Sequence, residues 1–201
     1  SQAVAGLDQV EKKTSGLSKG MKAAAIPAAA IGGAPVKVAL DAKEFASNLQ
    51  QSTGAVESVF ADQAAAVQGY AAAAQDSVGL AKTQYQELAA VTASQLKNMG
   101  VSTDQLVGQT DDLITKGADL AATFGGTTAD AVGALGALLR GEADPIERYG
   151  VSIKDADIKA RMAAMGLDKL EGEAAKNART TALLALLNEQ TATATGQFAR
   201  E

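Results

Sequence analysis

Cysteine, histidine and tryptophan are absent from this 201-residue chain, and proline occurs only three times. Without cysteine the chain forms no disulfide, thiol nucleophile or thiolate zinc site. Without histidine it has neither a histidine-based triad nor an imidazole general base. These absences exclude the commonest forms of nucleophilic catalysis, although the lack of cysteine fits many compartments and fixes none.

Aromatic residues are also scarce, at 3% of the chain, although 47% of the residues are hydrophobic. Alanine supplies much of that apolar content, and it combines the highest helix propensity with little buried area per residue. Twenty glycines and few prolines suit helices joined by glycine-ended turns. The composition therefore predicts an all-α protein whose core is closely spaced and modest in energy.

The net charge is −5, and no long run of Lys or Arg occurs. A protein that binds nucleic acid through its phosphates needs a basic face or stripe. We therefore expect no nucleic acid among the partners of this chain.

The pattern along the chain predicts a succession of helices and helical hairpins in two parts. Residues 1–53 form an alanine-rich N-terminal segment with Pro and Gly breaks and extended helices. Residues 54–201 form the second part, with a compact helical bundle in the C-terminal half, from about residue 102 onward. Within the first part, residues 23–40 have only a short charge-free window, below the roughly 20 apolar residues of a spanning helix. This segment is interpreted as a kinked pair of small-residue helices, with a membrane-active segment as the alternative.

Several helix ends are predicted from local signals. Asp41 is expected to cap residues 42–51, and Gly54 to interrupt the helix that follows. Residues 79–99 form another helix that Gly100 ends. Ser102 and Gln105 have the spacing of a capping box.

The helix after Ser102 has the clearest apolar face, because Leu106, Leu113 and Leu120 recur every seven residues. Gly125 and Gly126 are expected to end it, and Thr127 to open the next helix. Beyond residue 153, Asp155 is expected to cap a helix that Gly166 ends. A last helix from about residue 172 is expected to present these apolar side chains: Leu183, Leu184, Leu186, Leu187 and, further on, Phe198.

Residues 135–151, called the corner below, combine several stop and start signals. Gly141 is expected to end an apolar helix in the left-handed conformation, and Asp144 with Pro145 to start a single helical turn. Gly150 closes that turn, and an extended connector, residues 151–153, follows it. The charged side chains are expected to form ion pairs around the corner, with carbonyl bonding by Arg148 as the alternative. The residues of this structural motif are Arg140, Gly141, Glu142, Pro145, Arg148, Tyr149, Gly150 and Val151.

No arrangement of carboxylates predicts catalysis. The nearest clusters are Asp111 with Asp112, Glu142 with Asp144, and Glu171 with Glu173. Neighbours along a helix do not face each other across a cleft, so these pairs are interpreted as surface carboxylates. We expect no enzymatic activity, no cofactor and no metal site in these residues.

The corner also carries a resemblance. The pattern aliphatic-Arg-Gly-Glu-x-x-Pro-aliphatic-x-Arg-aromatic-Gly-Val, at residues 139–151, resembles a segment of the tail tape measure proteins of tailed phages. No single piece is specific, but the order and spacing extend over roughly the last two-thirds of the chain, and Gln197 stands where Asp is common in the family. The further similar segments are residues 80–85, 99–105, 118–121, 127–128, 178–179, 187–191 and 196–200.

The resemblance implies a structural virion protein, most similar to the N-terminal region of this family. Such a protein sets tail length during assembly, occupies the lumen or tip of the tail tube and takes part in DNA ejection. The implied partners are other copies of the chain, as a trimer or hexamer, together with tail tube and tail tip or baseplate proteins, and the host envelope on ejection. The implied locations are the virion tail and, during assembly, the host cytoplasm.

Because the chain starts at Ser1 and stops at Glu201 within a helical pattern, we expect it to be a piece of a longer protein or a processed chain. The alternative function is that of a secreted or membrane-associated helical effector or pore-forming protein. That alternative depends on residues 23–40.

Overall fold

The computed structural model describes the backbone of residues 35–200 and, except for Phe45, the side chains of residues 44–200. The predicted N-terminal breaks and most of the segment 23–40 lie outside this range. The described chain is helical without a strand, which confirms the predicted fold class. Residues from Ala42 onward form one compact unit.

Eight α-helices and two short 3-10 helices lie in the described residues. The α-helices are α1 (Pro35–Phe60), α2 (Ala64–Val78), α3 (Lys82–Asn98), α4 (Thr103–Phe124), α5 (Thr128–Leu139), α6 (Asp144–Glu147), α7 (Asp155–Ala164) and α8 (Gly172–Gln190). The 3-10 helices are η1 (Ala61–Gln63) and η2 (Phe198–Arg200).

The first helix differs from its prediction at both ends. It begins at Pro35, six residues before Asp41, and it passes through Gly54 without interruption. The break comes instead at Ala61, a non-glycine residue with a positive φ of 48°, which starts η1. The predicted domain boundary at residues 53 and 54 lies within α1 and stays a prediction.

The glycine-ended helices follow their predictions closely. α3 ends before Gly100, where the Val101 amide donates to the Leu96 carbonyl at 3.0 Å. Such a bond satisfies one of the carbonyls that a helix end leaves unpaired. α4 and α7 likewise end before Gly125 and Gly166.

The helix starts are less well predicted at the level of side chains. Ser102 is the N-cap of α4, but its hydroxyl makes no capping hydrogen bond, so the predicted capping box is wrong. The N-cap of α7 is Lys154 rather than Asp155, and its amide donates to the Asp157 carboxylate at 2.8 Å. Thr127 does cap α5, because its hydroxyl oxygen accepts the Asp130 amide at 3.1 Å.

Helices α2, α3, α4 and α5 pack against one another, and α7 packs against α8 as a hairpin. One continuous hydrophobic core joins these elements, so the bundle begins earlier than the predicted residue 102.

The heptad leucines of α4 are all buried, as predicted. Leu183 and Leu187 are buried while Leu184 and Leu186 are partly buried. Met165, at the end of α7, is exposed.

Candidate functional site

The corner begins where α5 ends at a glycine turn. The Gly141 amide donates to the Leu138 carbonyl and the Glu142 amide to the Ala137 carbonyl, both at 2.9 Å. This pair of bonds is the Schellman motif, which requires a left-handed residue after the helix. Gly141 supplies it with a φ of 93°, so the predicted left-handed stop is confirmed.

The single turn of the corner is α6. Its N-cap is Ala143, so the turn starts one residue earlier than predicted, with Asp144 as its first helical residue and Pro145 as its second. No side chain caps this turn, and its stability comes from Ile146, which is completely buried. Gly150 closes the turn with a φ of 72°, as predicted, and its amide donates a hydrogen bond to the Glu147 carbonyl at 2.9 Å.

The charged side chains of the corner form one ion pair and one stacking contact. Arg140 Nε lies 3.1 Å from Glu142 Oε1, and both side chains are at least half exposed. The Arg148 guanidinium lies 4.9 Å from the centroid of the Tyr149 ring, and the alternative in which it bonds carbonyls stays a prediction. Exposed pairs of this kind stabilise a fold by about 0–1 kcal/mol.

Tyr149 anchors the corner in the core, with only 1% of its surface exposed. Burial raises the pKa of its hydroxyl, and the hydroxyl has no hydrogen-bond partner among residues 44–200. Val151, Ile153 and Ile146 are buried beside it in the same core. These buried side chains position the corner, whereas its charged side chains are exposed to solvent.

The extended connector after the corner is held by Gln190 at the end of α8. The Gln190 side chain accepts the Ser152 amide at 2.8 Å and donates to the Ser152 carbonyl at 2.9 Å. We call this pair of bonds the Gln190 clamp. It satisfies both backbone groups of Ser152 without a neighbouring strand.

A second long-range attachment involves Asp119 of α4, whose carboxyl side chain is buried. Its carboxylate accepts the Gly196 amide at 2.7 Å and the Phe198 amide at 3.1 Å. We call this pair of bonds the Asp119 latch. Phe198 was expected on the last helix, but α8 ends at Gln190 and Phe198 starts η2, so that part of the prediction is wrong. The Phe198 ring packs beside Gly79.

A third polar contact lies inside the bundle, where the Tyr85 hydroxyl donates to Asp111 Oδ1 at 2.6 Å. Burial raises the pKa of both groups, and the hydrogen bond from Tyr85 partly offsets this for Asp111. Asp111 is therefore not the surface carboxylate that its sequence position predicted. Asp112 and the other predicted surface carboxylates are exposed.

Sequence reasoning identified the corner but not these three attachments. A sequence signal exists for Asp119, since it stands between buried positions of an apolar helix face. No local signal exists for the partners of Gln190 or Tyr85, because each contact joins residues 26 or more positions apart.

Within the described part of the chain, no group of three or more acidic, histidine or cysteine side chains has the geometry of a metal site. Of the helices between residues 35 and 200, none has the length and apolar character needed to cross a membrane. No protein-family model, curated protein or solved structure matches this chain.

Proposed function

We propose that this chain is part of a phage tail tape measure protein, a structural protein of the virion. The observation that carries the proposal is the Asp119 latch. It joins residues 118–121 to residues 196–200, two segments that each carry the resemblance and whose bonded residues are 77 positions apart at Asp119 and Gly196. The Gln190 clamp likewise joins the segment 187–191 to the connector that follows the corner.

These contacts favour an architectural role over a chemical one. The carboxylates and amides in them pair with backbone groups, and the corner uses its charged residues for an exposed ion pair and a stacking contact. Catalysis needs reactive groups that converge on a space for substrate. We therefore propose a structural rather than an enzymatic role for these residues.

In the proposed role, several copies of a longer chain occupy the lumen or tip of the tail tube and set tail length. Its partners are the other copies, as a trimer or hexamer, and the proteins of the tube and of the tip or baseplate. At DNA ejection the chain leaves the tail and meets the host envelope. An alanine-rich helical core suits this task, because small side chains pack closely in a tube and cost little free energy to separate.

The first test asks where the chain is found. An antibody raised against the 201 residues is expected to label the tails of particles from cells that encode it, by immunogold electron microscopy of tails opened by mild denaturation. The same antibody should detect a band well above 20.2 kDa in purified tails. Unlabelled tails, with the chain in the medium or the membrane fraction, would overturn the proposal and favour the membrane-associated alternative.

A second test uses tail length. Deletion of roughly 30 helical residues from the same reading frame, outside residues 35–200, is expected to shorten tails by about 45 Å, at 1.5 Å per residue. Synonymous recoding of the same stretch is the control and should leave the length unchanged. Tails of unaltered length after the deletion contradict the measuring role.

The membrane alternative is tested by sedimentation of the full chain with anionic liposomes, beside a chain that lacks residues 1–40. Binding that disappears with those residues would support that alternative, and no binding by either chain removes it.

A further inference from the structure

A pocket of about 330 Å³ lies beside the corner, between the end of α5, the connector and the α7–α8 hairpin. Its size is at the lower end of the roughly 300–1,000 Å³ that small-ligand sites occupy. It therefore has room for one small molecule or one short acyl chain.

The floor of the pocket is aliphatic. It consists of side chains from four separate elements, each less than 10% exposed: Leu138 and Leu139 of α5, Ile153 of the connector, Ile158 of α7 and Leu183 of α8. All of them belong to the hydrophobic core. The pocket thus opens directly onto apolar core atoms.

The rim carries the opposite chemistry. Four cations and one carboxylate line the pocket, a formal charge of +3 in a chain whose net charge is −5. The cations are Arg140, Lys154, Lys176 and Arg179, and the carboxylate is Asp155. A concentration of one sign of charge around an apolar cleft attracts ligands of the other sign.

The one rim carboxylate is already occupied. Asp155 lies 2.7 Å from Lys159 Nζ and 2.6 Å from Arg179 Nη1, so it is neutralised from two sides. The guanidinium of Arg179 keeps further donors beyond the one that this bond uses. Arg140 and Lys176 pair with Glu142 and Glu173, which lie outside the lining. Within residues 44–200, Lys154 forms no ion pair, so it is the rim cation with its charge available to a ligand.

We propose that this pocket binds a single-chain amphipathic anion, with its alkyl chain on the aliphatic floor and its carboxylate among the rim cations. An inorganic anion would leave the floor uncovered, and a neutral alkyl chain would leave Lys154 without a counter-charge. The proposal is independent of the tape measure function, because it rests on the pocket alone.

The test measures binding of decanoate to the full chain by titration calorimetry, below the concentration at which decanoate forms micelles. We expect saturable one-to-one binding that weakens progressively from decanoate through hexanoate to acetate. Decyltrimethylammonium, with the same alkyl chain and a positive head, should bind at least about tenfold more weakly. Equal affinity for decanoate and decyltrimethylammonium would overturn the proposal.

The location is tested with Arg140→Gln and Lys154→Gln combined, which is expected to weaken decanoate binding about tenfold. The matched control combines Lys82→Gln with Lys169→Gln, which makes the same change in charge outside the pocket and should leave the affinity unchanged. Circular dichroism verifies that both double variants are folded. Equal affinities of the two double variants for decanoate would also overturn the proposal. So would a chain that binds a short peptide, blocked Leu-Glu, but does not bind decanoate.

Discussion

Gly150 meets two structural demands at once. Its φ of 72° is a conformation that costs an L-residue roughly 1–2 kcal/mol, and a Cβ there would lie 3.0 Å from the ring of Phe124. Gly141 meets the first demand alone, since nothing lies within 4 Å of a Cβ built on it. Substitutions at Gly141 therefore measure the cost of backbone strain alone, and substitutions at Gly150 measure backbone strain together with steric crowding.

Substitution of either glycine by valine is expected to damage the corner. We expect Gly141→Val to lower the free energy of unfolding by about 1–2 kcal/mol and Gly150→Val to lower it further. Urea denaturation measures both values. In a chain with Phe124→Ala, the extra cost of the Gly150 substitution should shrink, and a neutral effect at either glycine would contradict the left-handed turn.

The Asp119 latch gives a second prediction for a single residue. Asp119→Ala leaves the Gly196 and Phe198 amides without their acceptor, so we expect a loss of about 2 kcal/mol in urea denaturation. Asp119→Asn, which keeps one acceptor oxygen, should lie between the alanine variant and the wild type. Asp112→Ala, an exposed change in the same helix, is the control and should stay within about 0.5 kcal/mol. A latch variant as stable as this control would show that the contact adds nothing.

The raised pKa of Asp111 predicts a dependence of stability on pH. The folded state holds the Asp111 proton more tightly than the unfolded state, so stability is lost as the pH rises through the raised pKa. Asp111→Asn keeps an acceptor for Tyr85 but does not titrate. The stability of the variant relative to the wild type should therefore increase from about pH 4 to neutral pH. A relative stability that stays constant or falls over this range would contradict the burial of the carboxylate, and Asp168→Asn, an exposed change, is the control.

At the scale of elements, the crossing of α4 and α5 depends on Gly117. A Cβ built there would lie 2.4 Å from Val132 Cγ2 and 3.1 Å from the Val132 amide nitrogen. Backbone atoms cannot move aside as the end of a long side chain does. The close crossing of α4 and α5 is therefore possible because Gly117 has no side chain.

Gly117→Ala is accordingly expected to destabilise the chain by about 1–3 kcal/mol, despite the higher helix propensity of alanine. Gly108→Ala in the same helix has open space and should stabilise the chain by roughly 0.5–1 kcal/mol. Gly133→Ala, in α5, is a second control of the same kind. Thermal denaturation of the three variants separates these effects, and equal shifts at the three positions would contradict the close crossing.

At the scale of the whole molecule, the core of the described residues is continuous, and alanine is the commonest residue type in it. α2 and α3 each bury three alanines, beside larger side chains such as Val67, Tyr85 and Leu96. The core therefore buries less apolar area than one in which leucine replaced those alanines. It therefore suits a domain that must unfold to pass through a narrow tube, as the proposed function requires.

We expect the isolated chain to unfold in guanidinium chloride with a midpoint well below about 5 M, the threshold that marks hyperstable domains. Circular dichroism at 222 nm gives the midpoint, and sedimentation verifies that the chain is monomeric under the same conditions. A hyperstable monomer would contradict passage through the tube in an unfolded form, although it would leave the architectural role of the corner intact.

Local signals in the sequence determined the helices and most of their glycine-ended turns. A left-handed glycine and a leucine heptad each act within a few residues, so the ends at Gly100, Gly141 and Gly166 and the buried face of α4 were predictable. Predictions that needed a side-chain partner were weaker, as the absent Ser102 cap and the shifted starts of α6 and α7 illustrate. Gly54 was misread because a helix tolerates one exposed glycine at a cost of about 1 kcal/mol.

Only the tertiary structure decided which distant residues meet. Asp119 bonds amides 77 and 79 positions away, and Gln190 bonds a residue 38 positions away. The pocket beside the corner likewise combines residues of at least five elements. Such contacts depend on how whole helices cross, and that crossing is set by core packing summed over many small side chains rather than by any short stretch of sequence.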